Sequence, residues 1–234
     1  MAFKIALTAG HYKGTAGKRC LKALDPNETR EWVLNDRIAD KVEKLLTNYT
    51  GWELVRTDDT TGKKDVSLAN RVKKANEFGA DFYLSIHHNA GIKGGKGGGI
   101  VAYVYDKTKR PESLEWQKAL YDALIKATGL KGNRANPLGK ANHYETRKSK
   151  CPAVLLEMGF MDSSSDVPVI LTEKYADQCA EAIVSVIVEK GKLAKKKTEP
   201  EQVYRVQVGA FSKKANAEAL VKELKKAGYN AIIV

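Results

Sequence analysis

Four residues of this 234-residue chain have types and settings suited to metal-assisted hydrolysis. His11 closes the stretch "ALTAGH" and His87 closes "FYLSIH", each just beyond an apolar run that reads as a strand, with His88 following at once. Alternation along a strand sends Ser85 and His87 to one side and Ile86 and His88 to the other, so one site can take only one of the adjacent pair. Glu31 opens "EWVLNDRIADKV". At about 100° per residue, Leu34, Ile38, Val42 and Leu45 form the buried stripe of a helix, and Glu31 lies within that stripe. A buried carboxylate requires a cation. One reading makes Glu31 an N-terminal acid favoured by the helix dipole. The other joins His11, Glu31 and His87 as a two-histidine, one-carboxylate set that leaves the fourth position of a tetrahedral Zn2+ open, as catalytic zinc requires. Such a centre also needs an acid/base group, and Glu157, which ends the apolar run "CPAVLLE", has no evident structural purpose there.

The elements that must position these groups follow from periodicity. Short apolar runs at 4–8, 52–56, 82–86, 100–105 and 153–157 read as strands, and helical periodicity covers 31–47, 68–78, 112–127 and 172–190. Alternation of the two predicts an α/β fold, a twisted sheet with helices on both faces. Working groups in such sheets gather beyond the carboxyl ends of strands, where His11, His87 and Glu157 fall. The Lys run and Pro200 in 191–202 read as a linker after a catalytic domain at 1–190. Residues 203–234 restart a pattern of strand, helix and strand, a small C-terminal β-α-β unit.

Charge points to the kind of partner. Forty Lys and Arg against 28 Asp and Glu give +12, and 10 basic against 4 acidic residues at 191–234 place half of that excess in the tail. This balance favours a polyanion: nucleic acid, a membrane surface or an anionic cell wall. No aromatic stacking motif or recognition helix supports nucleic acid. No stretch reaches the ~20 apolar residues of a membrane span, and the apolar residues near the N-terminus read as a first strand rather than a signal peptide. The expectation is synthesis in the cytoplasm without an export signal or membrane anchor, followed by release. Cys20, Cys151 and Cys179, odd in number and without metal spacing, read as reduced thiols.

Taken together, "TAGHY", the Glu opening "EWVLNDRIADKV", "VRTDD", "SLANRVKKANEFGADFYLSIHHNA", "GGGIVAYVY" and "CPAVLLEMGF" resemble the zinc-dependent N-acetylmuramoyl-L-alanine amidases of bacterial autolysins and phage endolysins, over about residues 3–190. The resemblance implies zinc bound by His11, Glu31 and His87, with Glu157 as catalytic acid/base. It also implies hydrolysis of the amide between N-acetylmuramic acid and L-alanine in peptidoglycan. Tyr12 stands where a Gly is common in that family, and Asp162 where Asn is frequent. The tail, above all "YRVQVGAF" and "NAEALVKEL", resembles the first half of a SPOR-type peptidoglycan-binding module. An incomplete module with a free strand edge suggests a homodimer. The alternatives are a zinc endopeptidase of the stem peptide and a non-catalytic wall-binding protein. Asn89 and the Gly-rich "GIKGGKGGG" loop read either as cleft lining or, for the loop, as a flexible connector. His143 reads as a loop residue rather than a ligand, and Arg71, which lies in one of the motifs that carry the resemblance, reads either as part of that motif's function or as a cation paired with an acid to hold the fold.

Overall fold

The computed structural model describes residues 1–197 and 206–233, which divide into two compact units, Met1–Lys196 and Lys197–Val234. In the first unit a six-stranded sheet is built from β1 (Phe3–Ala9), β3 (Trp52–Arg56), β4 (Phe82–Asn89), β5 (Ile100–Tyr105), β6 (Leu138–Ala141) and β7 (Ala153–Phe160). The strand order is β3-β1-β4-β7-β5-β6. The β3, β1, β4 and β7 strands are mutually parallel, β5 runs antiparallel to β7, and β6 is parallel to β5. The chain leaves β1 towards β3 on one side and returns to β4 on the other. The strand order therefore reverses at the β1–β4 pair, the place where open α/β sheets form their crevice.

Side-chain parity divides this sheet between two layers. Ile5, Leu7 and Ala9 of β1 and Phe82, Leu84 and Ile86 of β4 join the main core, with helices α1 (Glu31–Leu46), α3 (Pro111–Thr128) and α6 (Glu173–Gly191). Ala6 and Tyr83 face the other way, into a smaller cluster with Ala75 of α2 (Leu68–Phe78), Cys151 and Ala153. A short helix, α4 (Tyr144–Lys148), packs beside α2 on that second face. A further short helix, α5 (Val167–Ile170), follows β7. The α2 helix is bounded as its sequence dictates: the Ser67 side chain accepts from Asn70 N, and Gly79 ends the helix at φ 70°. In α1 the buried stripe runs Leu34, Ile38, Val42 and Leu46; Leu46 takes the place expected for Leu45, which is only partly buried. The three cysteines are free and buried, and burial pushes the thiols of Cys20 and Cys179 up to about 12 and that of Cys151 to about 11.

The segment expected as a linker from residue 191 starts out structured. Gly191 is the last residue of α6, and Ala194–Lys195 (β8) pairs antiparallel with Tyr49–Thr50 (β2). In the second unit, α7 (Lys214–Lys226) is as expected, but residues 206–213 and 227–233 form no strand. A strand needs a hydrogen-bonded neighbour, which side-chain alternation at Val206 and Val208 cannot supply by itself. The rest of the expected first strand, at 204–205, and Val234 lie outside the described residues. No helix among the described residues is long and apolar enough to cross a membrane.

Candidate active site at the carboxyl ends of β1, β4 and β7

His11 follows β1 after Gly10 and adopts φ 65°, in the left-handed region. Arg71, 2 % exposed, holds that bend. Its guanidinium donates to Thr8 Oγ1 at 2.8 Å, Ala9 O at 2.6 Å, His11 O at 2.7 Å and, through Nε, Val66 O at 2.8 Å. No acid lies within salt-bridge range of it among the described residues, so Arg71 clamps backbone where an ion pair was expected. Gly10 has to be glycine for space, because a Cβ there would run into the His87 ring.

Glu31, at the first turn of α1, is fully buried and reaches across to both histidines. Its Oε1 lies 3.0 Å from His87 Nδ1 and 3.4 Å from His11 Nε2, and it accepts the His88 backbone N–H at 3.2 Å. The two imidazoles meet edge to face with centroids 5.0 Å apart. One ligand atom from each of His11, Glu31 and His87 lies within 4.8 Å of the other two. Lys18 Nζ, 3.5 Å from Glu31 Oε2, is a cation at this site that the sequence did not single out. Burial alone would raise the Glu31 pKa, but hydrogen bonds from His11 and His87 hold it well below the ordinary value.

Glu157 stands directly across from His87 in the β4–β7 register. Its Oε2 is buried without a hydrogen-bond partner. Burial, helped by the Glu31 charge and opposed by His87 and Lys18, pushes its pKa up to about 7. His88 points to the other face. There Nδ1 lies 2.7 Å from Asn35 Oδ1, while Asn35 Nδ2 donates to Gly10 O at 3.1 Å. Burial drops the His88 pKa to about 3, so the ring is neutral and Nδ1 donates.

Two groups in "ANHYETR" sit nearer this centre than the sequence suggested. His143, at the N-cap of α4, packs edge-on against Tyr103, with its Nε2 buried and unpartnered, yet it is not among the clustered ligand atoms. Glu145, 3 % exposed, accepts from Tyr83 OH at 2.7 Å and Ser85 Oγ at 3.0 Å, and its Oε2 lies 3.9 Å from His87 Nε2. Sequence reasoning missed Glu145 because a five-residue helix has no readable periodicity. Burial opposes a charge on His87, but Glu145 and Glu31 together push its pKa up to about 10.

The Gly-rich loop is fastened along its length. Asp162 Oδ2 accepts from the backbone N–H groups of Gly91, Ile92 and Lys93 at 2.8, 2.9 and 2.8 Å, and Gly99 N donates to Asp166 Oδ2 at 2.7 Å. Asp162 thus organises this loop. Asn89 turns its own Oδ1 to the N–H of Ala90, at 2.8 Å.

The half-buried His11 and His87 and the fully buried Glu31 thus gather at the reversal point of an open α/β sheet, the crevice where such sheets hold their ligands. The family model for N-acetylmuramoyl-L-alanine amidases matches residues 5–189, and that for the SPOR domain matches residues 181–234. The chain belongs to the N-acetylmuramoyl-L-alanine amidase family and carries a C-terminal SPOR domain. It is 33% identical over 211 residues to the sporulation-specific N-acetylmuramoyl-L-alanine amidase of Bacillus subtilis (strain 168), covering 89% of this chain and 77% of that one. To the endolysin of Bacillus phage SPP1 it is 31% identical over 199 residues, 84% and 69% of the two chains. The crystal structure of N-acetylmuramoyl-L-alanine amidase from Clostridium difficile 630 superposes with TM-score 0.71 at 27% identity, covering 80% of this chain and 96% of that one. The two family matches overlap at 181–189, inside α6, where Ala182, Ile183, Val184, Val186 and Ile187 are buried in the core of the first unit.

Proposed function

We propose that this chain hydrolyses the amide between N-acetylmuramic acid and L-alanine of peptidoglycan, with His11, Glu31 and His87 holding a zinc ion and Glu157 acting as acid/base. The observation that carries this reading is the convergence of three ligand atoms within 4.8 Å, beside the half-buried Glu157 on the adjoining strand, whose Oε2 is shielded and unpartnered. The donor set fits a divalent cation on two counts. Glu31 Oε2 is buried without a hydrogen-bond partner, and Glu31 Oε1 confronts His87 Nδ1 and His11 Nε2, two ring nitrogens whose lone pairs need a shared cation or a proton. Two histidines and one carboxylate with an open position form the pattern of catalytic rather than structural zinc.

Zinc, when bound, supplies Lewis acidity, polarising the scissile carbonyl and lowering the pKa of water towards 7. The chain's own groups do the rest. Glu31 and the two imidazoles fix where that charge sits, and Arg71 fixes the backbone that carries His11. Glu157, with a pKa near neutrality and a free Oε2, takes a proton from the attacking water and delivers it to the leaving amine nitrogen. The test is digestion of purified peptidoglycan: free lactyl carboxyl groups on the sugar and new L-alanine amino termini are expected. New termini inside the peptide would identify an endopeptidase instead. Zinc content provides the second arm, falling from one per chain to none in His87→Ala, with full zinc in that variant overturning the ligand set.

The tail serves retention at the wall and self-association in this reading. The α7 helix buries no residue, and Val206, Val208, Phe211, Tyr229, Ile232 and Ile233 are exposed apolar side chains clustered in one short unit. A unit this small rarely buries enough surface to be stable alone, and pairing with a second copy would cover those groups. A light-scattering mass of one chain at micromolar concentration rejects the homodimer. A dimer that becomes monomeric on truncation after Lys196 supports it.

A further inference from the structure

We propose that Glu145 is a positioning residue for His87: its Oε2, 3.9 Å from His87 Nε2 and just short of a hydrogen bond, closes on that N–H when the ring takes up metal and so fixes the tautomer in which Nδ1 offers its lone pair. The inference rests on the reading of His87 as a zinc ligand. Tyr83, Ser85 and His87 alternate along β4 and therefore share one face. That face meets α4, where the Glu145 carboxylate takes Tyr83 OH on Oε1 and Ser85 Oγ on Oε2. The same Oε2 is 3.9 Å from His87 Nε2, a buried nitrogen with no hydrogen-bond partner. On the opposite edge of the ring Nδ1 looks towards Glu31 Oε1 and His11. The imidazole thus lies between a carboxylate on the ligand side and another on the far side. Carboxylates in the latter position set the tautomer and basicity of a metal-bound histidine.

The short α4 helix is itself secured for this purpose. The Glu145 carbonyl accepts both Ser149 N, at 3.1 Å, and Ser149 Oγ, at 2.7 Å, and Arg147 reaches back to Asn142 Oδ1 at 2.8 Å. With Tyr83 and Ser85 both donating, each Glu145 oxygen has a fixed direction, and Oε2 keeps a lone pair for one further donor. Replacing Glu145 by Gln sets an amide NH2 against either a hydroxyl donor or the His87 N–H. The ring is then driven towards the Nδ1–H tautomer, which has no lone pair on the ligand side.

The test has two arms on the full-length protein. Long-range 1H–15N spectra of the zinc-loaded wild type should show the His87 ring protonated on Nε2 and metal-bound through Nδ1. Competition against a chromophoric chelator should show a zinc affinity about 10- to 100-fold weaker in Glu145→Gln. Coordination through His87 Nε2, or an affinity within twofold of wild type in a folded Glu145→Gln, overturns the proposal. The wild-type spectrum decides even where the variant fails to fold. A wild type that takes up no zinc overturns the zinc reading and this inference together, whereas one that binds zinc through the other ring nitrogen overturns this inference alone.

Discussion

Replacing Glu157 by Gln should cripple turnover while making the metal-free protein more stable at alkaline pH. In the fold its carboxyl titrates at about 7 against an ordinary 4.5, with burial as the leading cause. Between these values the folded state binds more protons than the unfolded state, so stability falls as pH rises through that window and levels off above it. At about 1.4 kcal/mol per tenfold change in acidity, the ionised side chain costs the fold about 3 kcal/mol at pH 8. Gln carries no charge and escapes that cost. Urea denaturation in chelator should therefore show Glu157→Gln more stable than wild type by up to about 3 kcal/mol at pH 8, with the gain vanishing near pH 4. Zinc, a neighbouring cation, should shrink the gain. Turnover of purified peptidoglycan should drop by about 10²- to 10⁴-fold, the usual contribution of acid/base catalysis. Near wild-type hydrolysis removes Glu157 from the mechanism, and a stability difference independent of pH refutes the desolvation argument.

Three further outcomes are expected. Arg71→Met leaves four oxygen acceptors near the His11 bend unpaired; at about 1–3 kcal/mol for each orphaned buried group, urea denaturation should show a loss of at least about 3 kcal/mol. His88→Leu removes a donor to Asn35 but no ligand, so elemental analysis should still find one zinc per chain, with stability lower by about 1–3 kcal/mol. Asp162→Ala removes the shared acceptor of three loop amides, and hydrogen exchange at Gly91, Ile92 and Lys93 should accelerate by about tenfold or more, a change worth about 1.4 kcal/mol.

The residues drawn together at the carboxyl ends of β1, β4 and β7 were legible because scarce residue types fall at strand ends and one acid interrupts an apolar helical stripe. Strand lengths were less so. The β4 strand runs through His87, His88 and Asn89 because β7 continues beside it, Asn89 opposite Phe160. Pairing therefore sets the end of the strand, beyond where apolar side chains stop. The same holds for β6, four residues "LGKA" that are a strand only because β5 lies alongside. In the tail, Val206 and Val208 alternate correctly yet form no strand, since alternation describes a face and not a partner. Glu145 was invisible for a related reason. Its position depends on a one-turn helix held by Ser149 and Arg147, and nothing in the order of residues announces that "HYETR" folds back against β4.

The two adjacent histidines illustrate why residue type and spacing are insufficient to assign chemistry. One residue apart on β4, they face opposite layers of the sheet and so meet opposite electrostatics. His87 enters the layer of α4, which brings Glu145 towards one ring nitrogen, while Glu31 reaches across from the first turn of α1 to the other and Glu157 stands opposite in the β4–β7 register. His88 enters the layer of α1, where a neutral amide is its partner and burial keeps it uncharged. One pKa rises to about 10 and the other falls to about 3 from the same ordinary value. A histidine ringed by carboxylates attracts cations, protons or metal ions, to its edge; a histidine bound to an amide fills space and orients its neighbour. That neighbour, Asn35, in turn holds the carbonyl of Gly10, the residue that leads the chain into His11. The strand therefore uses its two-residue period twice, sending one imidazole towards the candidate metal ligands and the other to brace the loop that completes them.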